Sequence, residues 1–211
     1  MRTSNLFLSL GLAGAVAAGT AWRVAARVQD QPAVLNIFGA SATRVAVAPC
    51  SAKTEPQRTS CGIVREVLKA DLDFEGFQLT PESLMAALPP VNVVTPNYVD
   101  WRSVGANILV TLEVIQTGAE FAVEARTFSI DSSSAVMSKR YAGRVEAQNP
   151  NTFRAFAHQA ADDLLSLASI PGVTRTRLVF VSDRDYPDRR RKELYIADYG
   201  GFNVRQVTVN R

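Results

Sequence analysis

The sequence has little of the chemistry that metal sites and catalytic sites use. Its 211 residues include one histidine, His158, and two cysteines, Cys50 and Cys61. A structural zinc site of the usual kind needs about four cysteine or histidine ligands, so this set argues against one. Motifs of nucleotide-binding loops, nucleophile-elbow hydrolases and zinc proteases are missing as well. We therefore predict no bound metal, no cofactor and no enzymatic activity.

An excess of charge is lacking too. The formal net charge is +3, from 23 basic and 20 acidic residues. That balance is a weak electrostatic footprint for a nucleic-acid-binding protein. The densest basic stretch has five Lys and Arg residues between positions 184 and 192, interleaved with four acidic residues between 183 and 193. Mixed charge of this kind is typical of a solvated loop, so we expect no nucleic-acid partner.

No apolar run is long enough to span a bilayer comfortably. The first one, residues 6–18, follows the positive charge of Arg2 and runs into the small-residue sequences A-V-A and G-T-A. This is the pattern of a cleaved secretory signal peptide. We predict that residues 1–21 are removed, leaving a periplasmic product with no stable membrane insertion. An uncleaved membrane anchor is the alternative.

An exported protein meets an oxidising compartment, which permits a disulfide bridge between its cysteines. Cys50 follows a predicted strand at residues 43–48, and Cys61 opens a predicted helix. Residues 51–60 between them are polar and contain Pro56, so we predict a loop that a bridge would pin. Pairing geometry cannot be read from sequence, so two free or buried thiols remain an equal alternative.

Two long helices are predicted from apolar residues at three- and four-residue spacing. The first spans residues 61–74, with a stripe of Ile63, Val64, Val67, Leu68 and Leu72. The second spans 151–170, with Phe153, Phe156, Ala157, Ala160, Leu164 and Leu167 on one face.

Three polar residues of the second helix need separate interpretation. Asp162 and Asp163 are placed on its solvated face. His158 lies on the flank with no Ser or Cys nucleophile pattern around it. We therefore interpret His158 as a packing or hydrogen-bonding residue of the fold rather than a general base.

The strongest buried-strand signal is the nearly continuous apolar run at residues 108–114. A short helix precedes it and is predicted to end at Gly105 in a left-handed conformation. Within that helix we predict that Trp101 packs in the core, with a binding hot spot as the alternative, and that Arg102 pairs with a carboxylate. Turn-forming residues then divide 108–145 into an antiparallel meander of three strands.

Two helices beside several strands predict a compact α+β or mixed domain over residues 34–174. Residues 22–33 have little pattern and are predicted to be a flexible arm. After Gly172 the pattern changes. Three short strands at 177–182, 193–198 and 203–209, with no helix between them, begin an all-β unit at 175–211.

Five segments, in order and spacing, resemble the TolB family of periplasmic Tol–Pal system proteins. They are V-R-E-V-L-K-A-D-L-D-F-E-G-F-Q-L-T-P, V-D-W-R-S-V-G-A-N-I-L-V, R-T-F-S-I-D-S-S-S-A-V-M-S-K-R-Y-A-G, F-A-H-Q-A-A-D-D-L-L, and T-R-L-V-F-V-S-D followed by K-E-L-Y-I-A-D-Y-G-G-F-N-V-R-Q-V-T. The resemblance implies an α+β domain, a mixed sheet of about five strands with two helices packed on it. An incomplete first blade of a β-propeller would follow. Trp101, Arg102, Gly105 and His158 are the candidate signature residues of this fold.

The resemblance also implies a function. A member of this family would be a non-enzymatic periplasmic adaptor that supports outer-membrane integrity and invagination during cell division. Its N-terminal arm, here residues 22–33, would bind a TolA-like C-terminal domain. Binding of a Pal-like lipoprotein is doubtful, because the propeller that carries it is present only at its start. A stand-alone envelope-assembly module and a truncated, non-functional fragment are the alternatives.

Overall fold

The computed structural model of the chain describes residues 43–118, 120–144, 149–186 and 191–209. The predicted leader and arm lie outside these residues, as do the first residues of the predicted domain. Among the helices described, none combines the length and apolar character that crossing a membrane requires.

Four helices and eight strands are present in this part of the chain. The helices are α1 (Glu55–Phe74), α2 (Glu82–Met85), α3 (Tyr98–Ser103) and α4 (Pro150–Leu167). The strands are β1 (Arg44–Val47), β2 (Gln78–Leu79), β3 (Ile108–Thr117), β4 (Glu120–Ser129), β5 (Ser134–Arg144), β6 (Arg177–Ser182), β7 (Glu193–Asp198) and β8 (Arg205–Gln206).

Five strands form one mixed sheet in the order β2-β1-β3-β4-β5. Strand β1 is parallel to both β2 and β3, whereas β3, β4 and β5 form an antiparallel meander. Strands β6, β7 and β8 form a separate antiparallel sheet, called here the small sheet. The predicted fold class, a mixed five-stranded sheet with two long helices packed on it, is confirmed.

The main core lies between the five-stranded sheet and helices α1 and α4. Alternate residues of β3 point toward the helices, and the matching stripe of α1 has the four-residue spacing of one helix face. Six residues of this core are each less than 5% exposed: Ile108, Val110 and Leu112 of β3, and Val64, Leu68 and Leu72 of α1. Burial of each such side chain contributes about 1.5–3 kcal/mol, so this layer positions the two helices.

Helix α1 begins at Glu55, earlier than the predicted start at residue 61. Thr54 caps it, since its side chain accepts a hydrogen bond from the Gln57 N–H and the Gln57 side chain accepts one from the Thr54 N–H. Pro56 is tolerated in the first turn, where its missing N–H has no helical partner to lose. The polar stretch expected to be a loop is therefore a capped first turn.

Helix α3 ends as predicted at Gly105, whose φ is +75°. The following N–H, of Ala106, donates to the Trp101 carbonyl oxygen over 3.1 Å. Trp101 is 3% exposed and packs with Leu109 and Phe128 on the sheet face opposite α1 and α4. The prediction that Arg102 pairs with a carboxylate is wrong, because the Arg102 guanidinium donates to the Ile130 carbonyl oxygen over 2.7 Å.

A disulfide bridge joins Cys50 to Cys61, with 5.9 Å between the Cα atoms. Cys50 lies just beyond β1, and Cys61 is fully buried in α1. The bridge therefore ties the first described strand to the first long helix. It closes a short loop, because the two residues are 11 positions apart.

We expect the Cys50→Ala/Cys61→Ala variant to lose about 2–3 kcal/mol of unfolding free energy, because the open loop gives the unfolded chain more conformational entropy. Urea denaturation followed by circular dichroism, with and without reductant, measures this. Reductant should lower the transition midpoint of the native sequence toward that of the variant, which itself should not respond. A native transition that is insensitive to reductant would contradict the bridge.

Candidate functional site: the junction of α1, α4 and the small sheet

His158 of α4 faces Asp71 of α1. The Nδ1 atom of His158 lies 2.7 Å from the Asp71 Oδ2 atom. Both residues are buried, with His158 6% exposed and Asp71 3% exposed. Burial raises the pKa of the Asp71 carboxyl above its usual value, and the hydrogen bond and charge of His158 act in the opposite direction. The sequence places these residues 87 positions apart, and helix packing brings them together.

The geometry around His158 does not suit acid–base chemistry. Its Nε2 atom has no hydrogen-bond partner among the described residues. The ring instead meets the edge of the Tyr199 ring, with centroids 6.2 Å apart. A catalytic histidine needs a nucleophile or a substrate proton within hydrogen-bond reach. In the parts of the chain that the structure describes, no group of three or more His, Cys, Asp or Glu residues could hold a metal ion.

Asp162 is the second buried carboxylate of the junction, and the prediction that it lies on a solvated helix face is wrong. It is 7% exposed. Its Oδ1 atom accepts hydrogen bonds from the Thr174 N–H over 2.9 Å and from the Thr174 hydroxyl over 2.7 Å. Its Oδ2 atom accepts one from the Arg175 Nε–H over 2.7 Å. The chain that leaves α4 turns back over the helix and covers this side chain.

The electrostatics of Asp162 differ from those of Asp71. Burial alone would raise the pKa of the Asp162 carboxyl, but the hydrogen bonds from Thr174 and Arg175 and the positive charge of Arg175 lower it below its usual value. Asp162 is therefore held as a carboxylate. Asp163, its neighbour, is less buried and accepts a hydrogen bond from the Tyr141 hydroxyl over 2.8 Å.

Gly172 explains how the chain approaches so closely. A Cβ atom built at this position would lie 2.5 Å from Asp162 Cγ, which real Cβ atoms essentially never do. Only glycine brings the backbone this near to the carboxylate without displacing it. The close approach places Thr174 two residues later against both Asp162 and the His158 carbonyl oxygen, which lies 2.6 Å from its hydroxyl.

The turn between β7 and β8 completes the junction. The Tyr199 hydroxyl donates to Glu75 Oε1 over 3.0 Å, and its ring packs edge-on against Phe74 with centroids 5.4 Å apart. Burial raises the pKa of the Tyr199 hydroxyl, and the Glu75 carboxylate adds to the rise. The Arg154 guanidinium lies 3.4 Å from the centre of the Phe202 ring, a cation–π contact. The small sheet is thus attached to both α1 and α4.

An apolar groove adjoins these contacts. It has a volume of about 390 Å³ and lies along the exposed side of α1, with Arg154 and Phe202 at one wall; its α1 residues are Gly62, Ile63, Glu66, Val67 and Ala70. Phe202 is 49% exposed. The arrangement offers a surface for recognition rather than a pocket with convergent reactive groups.

The structure does not bring the predicted signature residues into one site. His158 lies at the junction on the helix side of the sheet, whereas Trp101 packs on the other face. Cys50 and Trp101 line a second cavity of about 430 Å³. Asp71, Asp162, Thr174 and Tyr199 were missed as junction residues. Gly172 followed closely by Thr174 was the one local signal of a tight polar turn after α4.

We expect Asp162→Asn to lower the unfolding free energy at pH 7 by about 1–3 kcal/mol, because it removes the charge that Arg175 and Thr174 hydrogen-bond. The folded-state pKa of Asp162 is lowered, so its contribution is present above the unfolded-state pKa and is lost as pH falls through the folded-state value. The difference between the native sequence and the variant should therefore shrink below about pH 5. Urea denaturation at a series of pH values measures this difference.

The matched control is Asp131→Asn, since Asp131 is exposed in the turn between β4 and β5. This control should change stability by less than about 0.5 kcal/mol. The Asp162 charge also raises the pKa of the Asp71 carboxyl, so a changed titration of Asp71 contributes to the pH dependence of the difference between the native sequence and Asp162→Asn. A gap between the native sequence and Asp162→Asn that stays constant from neutral pH to about pH 3 would contradict the buried ionic role.

Comparison with known proteins gives a consistent picture. Residues 35–136 match the family model of the TolB amino-terminal domain. "Tol-Pal system protein TolB" of Geobacter metallireducens is 30% identical over 148 residues, which cover 69% of this chain and 32% of the relative. The protein of the same name from Dinoroseobacter shibae is 29% identical over 209 residues, 95% of this chain and 45% of the relative.

A solved structure is similar as well. The crystal structure of TolB from Acinetobacter baumannii superposes with a TM-score of 0.61 at 21% identity, over 79% of this chain and 38% of that one. This similarity bears on the fold. The chain spans between about one third and just under one half of the length of these relatives.

Proposed function

We propose that the chain, whose residues 35–136 match the family model of the TolB amino-terminal domain, is a non-enzymatic, periplasmic adaptor of the Tol–Pal system. In this role it docks onto other envelope proteins and supports outer-membrane integrity and invagination during cell division. The match of residues 35–136 is the observation that carries the proposal. We place the docking in the Tol–Pal system because the relatives are named as Tol–Pal system proteins.

The geometry of the junction supports docking over turnover of a substrate. His158 is buried against Asp71, and its ring also meets the ring of Tyr199. The accessible feature beside it is the groove along α1, which is apolar and ends at Phe202. An apolar groove with an aromatic residue at its rim suits a protein partner.

The proposed partner of the arm, residues 22–33, is a TolA-like C-terminal domain. An extended arm binds by adding a strand to an exposed sheet edge of its partner, a mode in which main-chain hydrogen bonds supply much of the affinity. A contact with a Pal-like lipoprotein has weaker support, because residues 175–211 resemble only the start of the propeller that carries it in the TolB family.

Binding of the TolA C-terminal domain from the same organism tests the arm. We expect the chain from residue 22 onward to bind that domain in biolayer interferometry. Deletion of residues 22–33 should weaken binding at least about tenfold, about 1.4 kcal/mol, because the arm supplies the paired strand. A variant with the twelve arm residues in scrambled order is the matched control for length and composition. It keeps the main-chain groups but loses the order of side chains that gives specificity, so it should bind more weakly than the native sequence and more tightly than the deletion. Undiminished binding by the deletion variant would refute the arm as the docking element.

Export is a separate expectation. When the full chain is produced in a Gram-negative host, the protein recovered from the periplasm by osmotic shock should lack about the first 17–21 residues, because the leader has the pattern of a cleaved signal peptide. The intact mass of the recovered protein shows which small-residue sequence is cut. Recovery of the full-length mass in the cytoplasm would show that the chain is not exported.

A further inference from the structure

The two cysteines of the Cys50–Cys61 bridge lie in different surroundings. Cys61 is 0% exposed and belongs to the main core between the five-stranded sheet and the long helices. Cys50 is half-buried, and its neighbours Pro49 and Ser51 are both exposed. Access to a sulfur helps to decide where thiol–disulfide exchange takes place, because the attacking thiolate must reach that sulfur. The two cysteines are therefore not equivalent toward a reagent from solution.

The path of the chain after β1 explains the position of Cys50. The N–H groups of Ala48 and Ser51 donate to carbonyl oxygens of β3 over 2.9 Å and 3.2 Å. The two acceptors are two positions apart on β3, whereas the two donors are three positions apart. The extra residue makes Pro49 and Cys50 bulge from the ladder, where they form part of the wall of the second cavity.

Contacts other than the bridge hold Cys61 close to Cys50. One turn beyond Cys61 on α1, the Arg65 guanidinium donates to two successive carbonyl oxygens where β1 ends, over 2.8 Å and 3.0 Å. At the start of the helix, the capping box fixes the chain that leads from Cys50 into α1. Neither set of contacts involves a sulfur atom. They therefore keep the two Cα atoms near their separation of 5.9 Å when the bridge is reduced, a distance over which a disulfide forms without backbone movement.

We propose that Cys50 is the residue at which this bridge exchanges with disulfides and thiols from solution, and that Cys61 closes the bridge from inside the fold. The co-reactant that makes the bridge is a disulfide oxidant, for which oxidised glutathione is the probe. Cys61 does not meet this oxidant in the folded chain, because the helix–sheet layer encloses it. It meets the mixed disulfide on Cys50 instead.

Bridge formation then takes two exchange steps. In the first, the Cys50 thiolate attacks one sulfur of the oxidant, whose S–S bond breaks and whose other half leaves as a thiolate. In the second, the Cys61 thiolate attacks the Cys50 sulfur of the mixed disulfide, and the remaining half of the oxidant leaves as a thiolate. The two leaving thiolates take up the two protons that the cysteines lose. The chain is oxidised by two electrons and the oxidant is reduced by two.

Single-cysteine variants separate the two positions, because the sequence has no other cysteine. Under native conditions Cys61→Ala, which keeps Cys50, should react with oxidised glutathione at least about tenfold faster than Cys50→Ala, since reaction at a core thiol waits for the helix–sheet layer to open. Mass spectrometry of the intact chain follows the glutathione adduct. In concentrated urea the two variants should react at similar rates, which is the control for intrinsic thiol reactivity. Equal rates in the folded variants, or a faster Cys50→Ala, overturn the proposal.

The native sequence in its reduced form tests the second step. With oxidised glutathione it should regain the bridge under native conditions without accumulating the adduct, because attack by Cys61 is intramolecular. A glutathione adduct that persists on Cys50 overturns the role of Cys61.

A pulse of iodoacetamide on the reduced native sequence, followed by peptide mapping, should label Cys50 before Cys61. This measurement needs no substitution, so it also covers a variant that fails to fold. A reduced chain that is unfolded, and therefore labels both cysteines alike, overturns the proposal.

Discussion

The burial of two aspartate side chains, Asp71 and Asp162, constrains how the rest of the chain is arranged. A charge taken out of water is tolerated only when hydrogen bonds and opposite charge replace the lost solvation. Asp71 on α1 has His158 on α4, and Asp162 on α4 has Thr174 and Arg175 on the segment that follows. Helix α1, helix α4 and the segment that follows α4 must therefore meet at one place. For Asp162, loss of the Arg175 partner would leave a buried charge poorly compensated, a change that costs several kcal/mol.

This constraint also accounts for the position of the only histidine. His158 is held between a carboxylate of α1 and the ring of Tyr199 from the small sheet. A general base must reach the proton it removes. A ring that is 6% exposed, with Asp71 already on its Nδ1 atom, instead hydrogen-bonds the buried Asp71 carboxyl and fills the space between elements.

Sequence patterns predicted the elements well where local periodicity decides the structure. The apolar run at residues 108–114 became the buried strand β3. Val64, Leu68 and Leu72 of the predicted stripe became the buried face of α1, with Ile63 and Val67 half-buried beside it. Sequence patterns failed where a segment outside the helix determines the burial of a side chain. The residues around Asp162 in the sequence indicate a solvated helix face, but the chain reverses at Gly172 and covers Asp162. The first turn of α1 was missed for a local reason, because capping residues and Pro56 resemble a polar loop.

The junction also determines how the small sheet is presented. Tyr195 and Ala197 of β7 are less than 3% exposed, whereas Val179 and Val181 of β6 are open. Glu75 and Arg154 hold the β7–β8 turn through Tyr199 and Phe202. The His158 ring, whose Nδ1 atom faces Asp71, meets the Tyr199 ring as well. The buried Asp71–His158 pair thus also helps to hold the small sheet against the two long helices.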